Sequence, residues 1–250
     1  MTPFFLLFLG LIIGSFLNVV ICRLKTRESI ITGRSKCPFC RQTLRFFDLI
    51  PVLSFVFLRA RCRYCRKKIS WQYPLVELFT GTIFLLGWFE FPGSYLALLS
   101  FYIFSAFLII IFVYDLKHYL IPDAVALPVL VAALVLNLLL GRSFFNLLLA
   151  SVLVACFFLC QFLISRGKWI GGGDIRLGLV MGAMLGWPAA LLALALAYIV
   201  GAVVGLTLIV FKKKKLDSPV PFGTFLTLAT LVTLLWGQEI LNWYLASVGL

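Results

Sequence analysis

Charge is scarce in this sequence. Only 12% of its 250 residues are charged and 63% are hydrophobic, whereas a soluble globular domain is nearer a quarter charged and half apolar. That shortage, with a mean hydropathy of +1.10, excludes an ordinary soluble domain and predicts an all-α, polytopic integral membrane protein. Acids are scarcer still, nine Asp and Glu against 22 Lys and Arg, so chemistry that needs a carboxylate has few candidates. Histidine is all but missing. The lone His118 reads as an interface residue rather than a metal ligand. The N-terminus lacks a basic n-region and runs apolar over residues 4–24, which predicts a transmembrane helix rather than a cleaved leader.

What is present is a series of apolar runs. They predict about eight transmembrane helices, near residues 4–24, 73–91, 95–114, 124–140, 144–165, 174–187, 188–211 and 224–246. Between Arg23 and Lys68 lie thirteen Lys/Arg and two acids, Glu28 and Asp48, so this stretch holds +11 of the net +13. Such a loop suits nucleic acid or a cytoplasmic position. The second is preferred, with no nucleic-acid partner, because the links after helices 1, 3, 5 and 7 carry nearly all the Lys/Arg. That alternation predicts both termini on the outer face. The expected division is helix 1 over 1–24, a cytoplasmic four-cysteine loop over 25–72 and a seven-helix catalytic region over 73–250.

The sixth run is odd. It is short, about 21 Å of helix against a hydrocarbon core of ~30 Å, and it opens on WIGGGD (169–174). Gly178, Gly182 and Gly186 follow Asp174 at steps of four. They share one helical face, and such small-residue spacing lets another helix come close. The three glycines before Asp174 are expected to let the backbone bend tightly and a second chain approach. Asp174 could merely cap the helix, yet an acid at membrane depth is a functional candidate whose partner needs naming. Asp115 and Asp123, in the link DLKHYLIPD, fall on the same expected side. A pair of facing carboxylates suits acid/base hydrolysis, in which the two share a proton. It also suits a proton relay in a zinc-stabilised transporter or assembly factor.

CPFC (Cys37, Cys40) and CRYC (Cys62, Cys65) are separated by 21 residues. Two such knuckles read as one structural Zn²⁺ site with four thiolate ligands. The alternative, two disulfides, is disfavoured in a cytoplasmic loop. Cys22, Cys156 and Cys160 lie in apolar runs and behave as small hydrophobes.

GSFLNVVI (14–21), the paired CxxC knuckles, LIPVLSF (49–55), SWQYPLVELFTG (70–81), DLKHYLIPD and GGGD occur here in that order. The set resembles the bacterial type IV prepilin leader peptidases, a GxGD aspartic protease family. The resemblance implies an enzyme of the inner (cytoplasmic) membrane, with Asp115 and Asp174 as the catalytic pair and the active site toward the cytoplasm. It implies cleavage of the basic leader of prepilins and pseudopilins after glycine, for type IV pili and type II secretion. It further implies N-methylation of the new N-terminus with S-adenosylmethionine. The chain departs from the family pattern at Cys22-Arg23-Leu24-Lys25 and at Thr224. No GxGxxG-type turn places S-adenosylmethionine. Glu77 and Asn18 are polar within apolar runs, and Glu77 could line that pocket or hold helices together. Asp123 follows Pro122 at the head of an apolar run, an N-cap setting, whereas no cap role suits Asp115 at the end of its helix.

Overall fold

The computed structural model describes residues 3–26, 28–30, 32–211 and 220–248. The KKKK run at 212–215, and residues 216–219 of the link after it, lie outside the described residues. Among the described residues the regular elements are helices, joined by turns and two isolated β-bridges.

Eight helices occupy the positions of the eight apolar runs: α1 (Pro3–Thr26), α3 (Gln72–Glu90), α4 (Tyr95–His118), α5 (Asp123–Leu139), α6 (Phe144–Ser165), α7 (Gly172–Leu185), α8 (Ala189–Val210) and α9 (Phe222–Val248). The short α2 (Leu53–Phe57) lies in the basic loop. Five of them, α1, α4, α6, α8 and α9, are long and apolar enough to cross a membrane. The chain is an all-α membrane protein, and the full count of eight spans is not reached by length and apolarity.

The chain forms two compact units, Met1–Leu98 and Leu99–Leu250. In the first, α1 packs against α3 through small residues. A Cβ on Gly10 would stand 2.8 Å from Gly81 Cα, and one on Gly14 would stand 2.7 Å from Glu77 Cα. Backbones that close leave no room for side chains. Asn18 satisfies its amide across this seam, donating to Tyr73 O (3.1 Å) and accepting from Gln72 Nε2 (3.1 Å).

In the second unit α7 is central and packs on α5, α6, α8 and α9. Its Leu177, Val180, Met181, Ala183 and Met184 are almost completely buried. At 14 residues it is as short as expected, which raises the question of its last carbonyls. A helix end inside a membrane protein must have them satisfied. Asn137 Nδ2 donates to Ala183 O (2.7 Å) and Met184 O (3.1 Å), and Arg142 Nη1 to Met184 O (3.3 Å) and Leu185 O (3.1 Å). The Arg142 cation also suits the negative end of the helix. The short helix survives because its C-terminus is capped by side chains from α5 and the turn after it.

Candidate active site and metal centre

Asp115 sits in the last turn of α4, one turn earlier than the end of the helix, since α4 continues to His118. Its side chain is buried, at 4% exposure. The Thr224 N–H, at the start of α9, donates to Asp115 Oδ2 at 2.9 Å. Gly223 makes that approach feasible, because a Cβ there would lie 2.8 Å from the same oxygen. Sequence reading saw Thr224 only as a departure from pattern and missed that its backbone holds the carboxylate. A backbone contact carries no residue-type signal.

Asp174 is the third residue of α7 and is also buried, at 9% exposure. The Gly171 N–H donates to Asp174 Oδ2 at 3.1 Å. The acid therefore accepts from an amide before its own helix, where the helix dipole favours negative charge. The glycines before it do not bend sharply. Gly171 is extended (φ −82°, ψ 155°) and Gly172 and Gly173 already belong to the first turn. What Gly173 supplies is clearance: a Cβ there would lie 3.1 Å from Ile121 Cβ. Ile121 also stands 3.2 Å from where a Cβ of Gly223 would be. One buried isoleucine thus touches the neighbours of both acids. Asp115, through Gly223, and Asp174, through Gly173, therefore flank the same isoleucine.

Asp123 does something else. The N-cap of α5 is Pro122, with no side-chain cap bond, so the expected capping role for Asp123 is incorrect. Asp123 is the first helical residue, and its carboxylate pairs with Arg176. An arginine two residues beyond Asp174 offers a charged partner, which outweighs a cap bond that proline's position already forestalls.

The two cysteine knuckles fold alike. Cys37 N–H donates to Gln42 O (3.0 Å) and Cys62 N–H to Lys67 O (2.9 Å), while bridges Lys36–Thr43 and Arg61–Lys68 close the two turns. The four sulfurs of Cys37, Cys40, Cys62 and Cys65 lie within 4.8 Å of one another. Tetrahedral zinc with Zn–S bonds of ~2.3 Å needs sulfurs about 3.8 Å apart, and Cys37 Sγ and Cys65 Sγ are 3.9 Å apart. The set fits such a metal. At Cys37 burial pushes the thiol up, but the Cys40 and Phe39 amides and the Cys40 and Cys62 thiols outweigh it and lower it to about 7.

A family description, "Bacterial Peptidase A24 N-terminal domain", matches residues 8–91, and a second, "Type IV leader peptidase family", matches residues 102–206. A prepilin leader peptidase/N-methyltransferase of Aeromonas salmonicida is 34% identical over 283 residues, covering 98% of this chain and 94% of that protein. A protein of the same description from Bacillus subtilis is 35% identical over 239 residues, covering 94% and 95%. The chain belongs to the type IV leader peptidase family. No solved structure matches it.

In this type IV leader peptidase the cysteine loop is tied down by Arg23, Glu77 and Asp48. Arg23, at the end of α1, is buried and donates to five carbonyls, Ser29 O, Ile30 O, Thr32 O, Gly33 O and Arg34 O, at 2.6–3.5 Å. Glu77 Oε2 accepts from the Val52 N–H (2.8 Å), pinning the loop to α3. Val52 needs that restraint, since its φ of 60° is costly for a β-branched residue. Glu77 thus holds the loop to α3, a role distinct from the helix-to-helix bond or cofactor pocket that the sequence suggests for it. Asp48 joins the knuckles by accepting from Arg45 N (3.0 Å) and Arg63 Nε (2.7 Å). Burial pushes its carboxyl up, but the Arg45 amide and the Arg63 guanidinium hold it below its ordinary value. The loop has little apolar core of its own, with Phe55 its one buried aromatic. Cys62→Ser is therefore expected to remove the metal and loosen the loop, because metal binding supplies much of such a segment's folding free energy. Elemental analysis should fall from one zinc per chain to almost none, and limited proteolysis should cut within the loop.

Proposed function

We propose that this chain is a membrane aspartic endopeptidase that removes the short basic leader of type IV prepilins and pseudopilins, cutting after glycine at the cytoplasmic face of the inner membrane, and then N-methylates the new N-terminus. The observation that carries the reading is the pair of buried acids, Asp115 held by the Thr224 amide of α9 and Asp174 by the Gly171 amide just before its own helix. The ionised carboxylate takes a proton from water, whose oxygen attacks the scissile carbonyl carbon. The protonated carboxylate donates to the carbonyl oxygen. Collapse breaks the C–N bond, and the amine leaves with a proton from the pair. Burial keeps bulk water out and strengthens these transfers. Ile121, packed against Gly173 and Gly223, helps to wall the site.

Cys37, Cys40, Cys62 and Cys65 would hold one structural zinc. Four thiolates leave no open position for water, so the metal orders the loop. S-adenosylmethionine would supply the methyl group, and no residue of this chain is assigned to hold it. Within the chain, residues 73–250 would form the catalytic region. The relatives' names, which pair peptidase with N-methyltransferase, support both steps.

A synthetic prepilin peptide offered to membrane vesicles tests the reading. Inverted vesicles should cleave it after the leader glycine, and sealed right-side-out vesicles should not. Mass spectrometry should show a methyl group on the product only when S-adenosylmethionine is added. Intact peptide in inverted vesicles, with zinc-loaded protein present, would refute it.

A further inference from the structure

The membrane-spanning helices account for most exposed apolar side chains, but one cluster lies outside them, in the cysteine loop. Phe46, Phe47, Leu53, Val56 and Phe57 are exposed there, Phe57 at 81%. Several converge on a groove of about 390 Å³ whose lining includes Arg45, Phe47, Asp48, Leu53, Phe57 and Arg63. Large aromatic side chains left in water call for a partner.

Charge says what kind. Between Arg34 and Lys68 the loop has ten Lys/Arg and a single acid, Asp48. That acid is already engaged by Arg63. The field repels a basic peptide and attracts anions. Arg45, with the Nη groups that Arg63 does not spend on Asp48, lies beside phenylalanines and matches an anionic amphiphile, with phosphate at the cations and upper acyl chain at the rings. The loop is also tethered where such molecules are concentrated. It leaves α1, which is long and apolar enough to cross a membrane, at Thr26 and re-enters α3 at Gln72, and these two helices pack together. Basic clusters next to a span bind anionic lipid, and aromatic rings settle at the headgroup level.

We propose that the cysteine-rich loop docks onto the anionic phospholipid surface of its own membrane through the groove of Arg45, Phe47, Leu53, Phe57 and Arg63. Docking holds the metal knuckles against the bilayer, with the exposed phenylalanines inserted among the headgroups. The inference does not depend on what the enzyme cleaves.

The test uses the full-length, zinc-loaded protein in nanodiscs of phosphatidylcholine alone or mixed with phosphatidylglycerol. Amide hydrogen exchange over residues 44–58 should be roughly tenfold slower in the anionic discs. High salt should shrink that difference. Phe47→Ser with Phe57→Ser should erase it without changing zinc content. A photoreactive phenylalanine analogue at position 57 should cross-link to lipid. Equal exchange in the two lipid compositions would overturn the proposal. So would cross-links from position 57 to a second copy or to another protein instead of lipid, whether or not the double variant folds.

Discussion

Asp115→Asn and Asp174→Asn should each abolish measurable cleavage of a prepilin peptide, while zinc content and membrane insertion stay as in the wild type. Positioned acid/base groups contribute roughly 10²–10⁴-fold each, and groups acting as a unit fail together. The double variant should therefore be little worse than either single one. Asparagine suits the test because its carbonyl can still accept from Thr224 N–H or Gly171 N–H, so the local fold survives. What it cannot do is ionise or pass on a proton. Asp123→Asn is the matched control. It breaks an exposed pair with Arg176, and exposed pairs contribute little, so most activity should remain. The grounds for that expectation are the ion pair and not the helix cap that the sequence suggests. If Asp123→Asn is inactive and Asp115→Asn cleaves normally in one peptide assay, the acid pair is misassigned.

Helix positions are legible in the sequence because a run of apolar residues in lipid has one way to satisfy its backbone. The run at 144–165 becomes α6 with the same ends. The knuckles are legible because four thiolates at that spacing have few other uses. Less legible is whatever depends on a neighbour far along the chain. Nothing near Asp123 announces Arg176, and nothing near Asp115 announces Gly223 and Thr224, more than a hundred residues away. Glu77 and Arg23 show as polar residues at the edge of greasy segments, but their partners are backbone groups of Val52 and of the chain after α1. Such partners have no side-chain signature. The glycine run before Asp174 was legible as a feature, though its use is clearance for Ile121 and an amide for the carboxylate, with no sharp bend.

The glycines after Asp174 provide the second large effect. In helical positions alanine is favoured over glycine by about 1 kcal/mol, so propensity alone predicts that Gly182→Ala stabilises. The packing predicts the opposite. A Cβ at Gly182 would lie 2.3 Å from Ser151 N and Cα and 2.5 Å from Ala150 C. These are backbone atoms of α6, and no rotamer change can move them. The helices must part, opening space around Leu177, Val180 and Met181, which are almost fully buried. Overpacking of this kind costs ~1–3 kcal/mol and sometimes more, which outweighs the gain. At Gly178 the nearest atoms are side-chain carbons, Phe158 Cδ2 at 2.9 Å and Val154 Cγ1 at 3.1 Å, and these can give way. At Gly172 a Cβ meets nothing within 4 Å, so there the propensity gain stands unopposed. Thermal unfolding of the detergent-solubilised variants should therefore rank Gly172→Ala at or above wild type, Gly178→Ala below it and Gly182→Ala lowest. Because α7 also carries Asp174 two turns earlier, Gly182→Ala should lose cleavage even at temperatures where it stays folded. A Gly182→Ala protein as heat-resistant as wild type would show that α6 and α7 do not meet backbone to backbone.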